Sequence, residues 1–152
     1  MVDFTDVLNT QADLIERPKP LPIGSYICLV AGLPEYTVRP TKNGDSQTIA
    51  YKLKPIAAKE DVDESALHEF GGMAAAPTFT YTIWLGTTAE EQTRNLFRLK
   101  DFVGHCGQAV SGVSAKTMAE SVVNTQVGVA VTHRPAPDGS AIYAEIKRTF
   151  AV

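Results

Sequence analysis

The chain has 152 residues, 44% of them hydrophobic and 20% charged, with a formal net charge of −3. That length suits one domain burying roughly 70% of the surface its unfolded chain would expose, so neither a disulfide nor a metal is needed to hold it together. The negative charge argues against indiscriminate polyanion binding, and no apolar run reaches the ~18 residues that a membrane span requires.

Residues 1–22 read as an N-terminal arm and residues 23–152 as a single domain. The opening "MVDFTDVLNTQADLIERP" lacks the basic start and apolar core of a secretory signal, so a cytoplasmic location is expected. The arm closes in "RPKPLP", whose prolines stop a helix and favour an extended path. Phe4, Leu8, Leu14 and Ile15 make it apolar enough to dock on the barrel wall or on a neighbouring copy, the second of which would give a homo-oligomer.

The first predicted strand is "GSYICLVAGLPEYTV", 24–38, apolar on both faces, with a bend signalled by Gly32 and Pro34. "RPTKNGD" supplies a turn, with Asn43-Gly44 the strongest hairpin signal. The second strand, 46–57, puts Ile49, Tyr51 and Leu53 on one face and Thr48, Ala50, Lys52 and Lys54 on the other. Residues 58–77 read as a long connection in which "EDVDESALHEF" has room for one acidic helical turn or two before a flexible Gly- and Ala-rich stretch, and 59–77 are expected to be the least ordered internal segment. The third strand, 78–85, sets Phe79, Tyr81, Ile83 and Leu85 against Trp84.

Thr88 and Glu91 then form a capping box that opens a helix. Its stripe is Leu96, Leu99, Val103 and Cys106, with Phe102 beside it, and Gly104 and Gly107 mark its end. Residues 114–123 suggest a second short helix. The fourth strand, 125–133, turns Val127, Val129 and Val131 inward. The fifth, 141–150, turns Ile142, Ala144 and Ile146 inward and Tyr143, Glu145 and Lys147 outward. The order β-β-β-α-β-β predicts a mainly β fold: a five-stranded OB-fold-like Greek-key barrel with one main helix between strands three and four.

Catalysis finds no support. G-x-S-x-G, Walker, CxxC and HExxH patterns are missing, and the carboxylates of 60–69 lack the glycine of an EF-hand loop. Cys28 and Cys106 read as buried reduced thiols, and His68, His105 and His133 are scattered. No enzyme activity, cofactor or metal is therefore expected.

Charge is unevenly spread. Residues 23–57 and 126–152 together hold seven Lys/Arg and four Asp/Glu, +3, whereas the rest holds seven against thirteen, −6. If the two basic segments meet in the fold, they form a positive surface on an acidic body.

The "LPIGSY" opening, the "RPTKNGD" turn, the "YKLKP" strand, a strand ending "IWL" and a closing hairpin with "YAEIKR" resemble bacteriophage-encoded single-stranded DNA-binding proteins of the OB-fold type, over roughly residues 20–149. The resemblance implies sequence-tolerant binding of single strands in phage replication or recombination, with proteins of those processes as further partners and the cytoplasm of a host cell as the location. The chain departs from many single-strand binders in ending "IKRTFAV" rather than in an acidic tail.

Single-strand binders combine cations for phosphates with aromatic faces for bases, and OB-folds bind across strands two and three and the loops at their ends. The candidates are Tyr36, Arg39, Lys42, Lys52, Lys54, Trp84, Arg134, Tyr143 and Lys147. Each has a plainer reading: Trp84 as the cap of a secondary core, Tyr143 as a cross-strand partner, and Lys52 and Lys54 as solvated strand lysines. Arg94, Arg98 and Lys100 read as surface ion-pair partners on the helix. A protein-interaction or virion structural module on the same barrel, without nucleic-acid binding, is the competing function.

Overall fold

The computed structural model describes residues 19–152, together with residues 8, 9, 11 and 12. Phe4, Leu14 and Ile15, on which the docking of the arm depends, lie outside the described residues. The strands are β1 (Gly24–Val30), β2 (Glu35–Thr41), β3 (Gly44–Ala58), β4 (Phe79–Gly86), β5 (Gln126–Pro135) and β6 (Ile142–Phe150). The α-helices among the described residues are α1 (Glu64–Phe70), α2 (Ala89–His105) and α3 (Ala115–Ser121).

All strand pairs are antiparallel, and they form one sheet of six strands rather than the expected five. The extra strand arises because the predicted 24–38 segment breaks between Val30 and Glu35, where Pro34 cannot donate to a ladder. Its two halves then take different parts of the long β3: β2 pairs with residues 44–50 and β1 with residues 53–58. β4 lies along the other edge of β3, β5 beside β1, and β6 beside β5. β4 and β6 do not pair, so the sheet stays open along that seam and a closed barrel is not formed.

Alternation builds the core. Tyr26, Cys28 and Val30 of β1, Tyr51 and Leu53 of β3, and Val127 and Val129 of β5 are fully buried. Helix α2 covers them with Leu99, Phe102 and Val103. Its start keeps one half of the expected capping box: the Thr88 hydroxyl accepts from the Glu91 N–H at 3.1 Å, while the Glu91 carboxylate accepts from the N–H of Thr87, one residue before the cap, at 3.1 Å. The Tyr51 hydroxyl donates to the Ala119 carbonyl at 2.8 Å and so ties α3 to the sheet. Leu21, at the end of the arm, is also in the core, and its carbonyl meets His133 Nε2 at 2.7 Å.

Residues 59–77 contain the short acidic helix that the sequence allowed, but they are docked on the core and not loosely ordered. Asp63 caps α1 through the N–H groups of Ser65 and Ala66, and Gly71 ends it with a positive φ of 117°. Val62 is buried, and Leu67, Phe70, Met73 and Ala76 pack on the core. The acidic residues mask this apolar spacing because they occupy the solvent side.

The hairpin between β2 and β3 also turns differently. Thr41 pairs with Gly44, so Lys42 and Asn43 form the turn, and Gly44 alone carries a positive φ, 118°. The glycine therefore serves the strand entry after the turn, not the turn centre.

Both thiols are free and buried. Burial pushes Cys28 up from 9.0 to about 12 and Cys106 to about 11, and it pushes the Tyr26 hydroxyl up from 10.0 to about 12 with help from nearby Asp61. The folded chain thus keeps protons that the unfolded chain gives up above about pH 9, so stability is intact below that value and drains away as pH climbs towards 12. Urea midpoints should hold level to about pH 9 and fall beyond it. A midpoint that stays flat to about pH 11 would contradict the burial of these groups.

Candidate nucleic-acid interface

The outer face of β3 and β4 is laid out by the register. Lys52 stands opposite Thr80, and Thr48 opposite Trp84. Lys52 Nζ donates to Thr80 Oγ1 at 2.7 Å, which lays the lysine across β4. Thr48 and Thr37 share a hydroxyl contact of 2.7 Å that firms the floor beside Trp84. Trp84 remains 42% exposed on this face, so it does not serve as the cap of a closed secondary core.

Beyond Trp84 lies the open seam. β4 and β6 run side by side there: Phe79 borders Ala141–Ala144, and Tyr81–Trp84 border Lys147–Thr149. The second stretch is a cleft of ≈ 280 Å³ walled on the third side by Arg98, Asp101 and His105 of α2. Its inner lining includes Phe102 and Tyr81, whose rings stack at 5.2 Å. His105 Nδ1 meets Thr149 Oγ1 at 2.9 Å and holds α2 to β6. Arg98, Lys147 and Arg148 therefore line the same cleft as Trp84, with a single carboxylate, Asp101, among them; the Arg98 guanidinium lies 5.8 Å from the Phe97 ring and that of Arg148 5.3 Å from the Phe150 ring.

The charge at this cleft depends on a bulge in β6. Ala130 pairs with Arg148 and Val131 with Ile146, so Lys147 is an extra residue without a partner on β5. Lys147 and Arg148, adjacent in sequence, are both exposed as a result, where strict alternation would have turned one inward.

The sequence candidates scatter relative to this cleft. Trp84 and Lys147 are in it. Lys52 and Lys54 are exposed on the neighbouring outer face of β3, so β4 lies between Lys52 and Lys147. Arg39 is exposed on the outer face of β2, opposite Ser46, and Lys42 is at the hairpin turn. Tyr36 is not with them. It pairs with Ile49 on the inner-facing side of the hairpin, and its hydroxyl faces Glu120 of α3; burial and that carboxylate both raise its pKa. Arg134 is not in a loop but on β5, where it forms a 3.3 Å salt bridge with Glu145, the only ion pair among the described residues. Tyr143 stands opposite Arg134 and borders the far, apolar stretch of the seam with Phe70, Pro77, Phe79 and Ile142.

Sequence reasoning missed Arg98, His105 and Arg148. Arg98 and His105 are seven residues apart on α2, beside its apolar stripe, and that spacing was the available signal. Arg98 makes no ion pair among the described residues, contrary to the surface-pair reading. Arg148 was hidden because nothing in "EIKRT" announces a bulge.

No protein-family model matches the chain, and neither does any curated protein. No helix among the described residues is long and apolar enough to cross a membrane.

Proposed function

We propose that the chain is a single-stranded DNA-binding protein of the OB type, holding bases against Trp84 and phosphates on Lys52, Lys54, Arg98, Lys147 and Arg148. The observation that carries this reading is the exposed tryptophan in a seam cleft whose walls also carry three cations. An aromatic face stacks any base at about 1–3 kcal/mol, and cations around it take the backbone without reading sequence. The strand connections agree with an OB plan in which β1 and β2 are two halves of one broken first strand, α2 follows the third strand, and β4 and β6 are the pair left apart. Service in phage replication or recombination follows from the resemblance of the sequence. The apolar stretch of the seam, with Phe70, Phe79 and Tyr143, favours the second reading, a protein-interaction module.

Trp84 is the only tryptophan in the chain, so it reports on its own site. Adding oligothymidylate at low salt should quench its fluorescence in a saturable way. Trp84→Ala, followed instead by anisotropy of a labelled oligonucleotide, should weaken binding by about 1–3 kcal/mol and leave the salt slope unchanged, because stacking releases no counterions. No saturable quenching and no affinity for a single strand at low salt would favour the protein-interaction reading.

A further inference from the structure

Residues 34–40 read Pro-Glu-Tyr-Thr-Val-Arg-Pro, and six of them lie on a strand with a free edge. β2 pairs with β3 alone, and of its seven residues only Thr37 is partly covered. An exposed edge carrying Tyr36 and Val38 invites a further strand. We propose that the occupant is β2 of a second copy of this chain, paired antiparallel about a two-fold axis through Thr37.

The argument is self-complementarity. In that register Glu35 faces Arg39 of the second copy, and Arg39 faces its Glu35. Tyr36 faces Val38, Val38 faces Tyr36, and Thr37 faces itself. Opposite charges and aromatic–β-branched pairs are the favourable cross-strand partners, and a two-fold interface forms each of them twice. Pro34 would fall opposite Pro40, so residues without an N–H end the ladder on both sides and bound the register. Within one chain neither Glu35 nor Arg39 has an ion-pair partner among the described residues.

The faces also agree. Glu35, Thr37 and Arg39 share the outer side with Ala50, Thr48 and Ser46, while Tyr36 and Val38 are on the other side with Ile49 and Gln47. That other side borders a recess of ≈ 500 Å³ lined by Leu85, Leu96, Leu99 and Ala119. Continuing the sheet would bring Tyr36 and Val38 of the second copy to the mouth of that recess. Arg39 would then be engaged by Glu35 and not by phosphate.

Sedimentation equilibrium of the full chain, without nucleic acid, tests this independently of DNA binding. The wild type should sediment at twice its 16.4 kDa. Glu35→Arg or Arg39→Glu alone sets like charges face to face twice and should raise the dissociation constant by about tenfold or more, whereas the double reversal should restore the dimer. Circular dichroism establishes that each variant is folded. Thr37→Cys gives a second readout, since two cysteines on the axis should form a disulfide between copies under mild oxidation. A wild type that is monomeric up to its solubility limit would overturn the proposal. So would a dimer indifferent to both single reversals, a double reversal that fails to rescue, or a Thr37→Cys chain that never cross-links.

Discussion

On the proposed reading, replacing Arg98, Lys147 and Arg148 together by glutamine should leave a protein whose grip on single strands responds far less steeply to salt. The wild type offers five cations without an ion pair among the described residues, three lining the cleft with Trp84 and two on the outer face of β3, and at roughly −0.7 per neutralised phosphate their log–log slope should be about −3.5. Quadrupling the salt should therefore weaken the wild type roughly a hundredfold. With only Lys52 and Lys54 left, the slope falls to about −1.4, and the same change in salt costs roughly sevenfold. All three replaced side chains are exposed, so folding is not at stake. Anisotropy titrations at two salt concentrations measure the effect. A triple variant with the wild-type slope would mean that the phosphates run elsewhere, and the cleft would lose its role.

Phe102→Ala should be the most damaging single change to the fold. Phe102 is 1% exposed, with its ring 4.6 Å from Tyr51 of β3 and 5.2 Å from Tyr81 of β4. Deleting a buried phenyl group costs about 3–5 kcal/mol through lost transfer energy and the cavity left behind. At about 2–4 °C per kcal/mol for a chain of this size, the midpoint should drop by about 10 °C. Thermal unfolding followed by circular dichroism reads this directly. A loss below about 1 kcal/mol would show that α2 is anchored by other residues. Because Phe102 also lines the cleft, the variant should bind single strands more weakly even where it remains folded.

The elements with one clear period were legible in the sequence. β4 and α2 fall within a residue of expectation because Phe79-x-Tyr81-x-Ile83-x-Leu85 alternates without interruption and because Thr88 and Glu91 mark a helix start that the structure uses. The burial of Cys28 and Cys106 was readable for the same reason, since both occupy apolar positions of their elements. What failed was local geometry that composition does not encode. A segment apolar on both faces, 24–38, gave no alternation with which to locate its break. The acidic residues of 59–69 obscured the apolar side of α1.

Trp84 and the β3 lysines could be placed on an outer face by counting alternate residues from a well-defined strand. Tyr36 was misassigned because it belongs to β2, whose parity is set by its pairing with Ile49 and not by continuation from β1. Arg134 was misassigned because its partner Glu145 comes from the next strand, a relation only the β5–β6 register reveals. The cleft itself joins β4, α2 and β6, and no pattern within a single segment announces it.

The unmatched residue in β6 also bears on how this chain can change in length. In a regular strand, losing one residue turns every later side chain to the wrong face. Here the surplus is already present. Excising Lys147 would leave Arg148 opposite Ala130, Thr149 opposite Val129 and Phe150 resting on Gly128, where a β-carbon would come within 2.2 Å of the ring. The sheet would close over the missing residue, and only one positive charge would go with it. Position 147 is thus a place in the strand where a codon can be lost while the pairing that follows stays in register, so one charge lining the cleft with Trp84 can be removed without rebuilding the core.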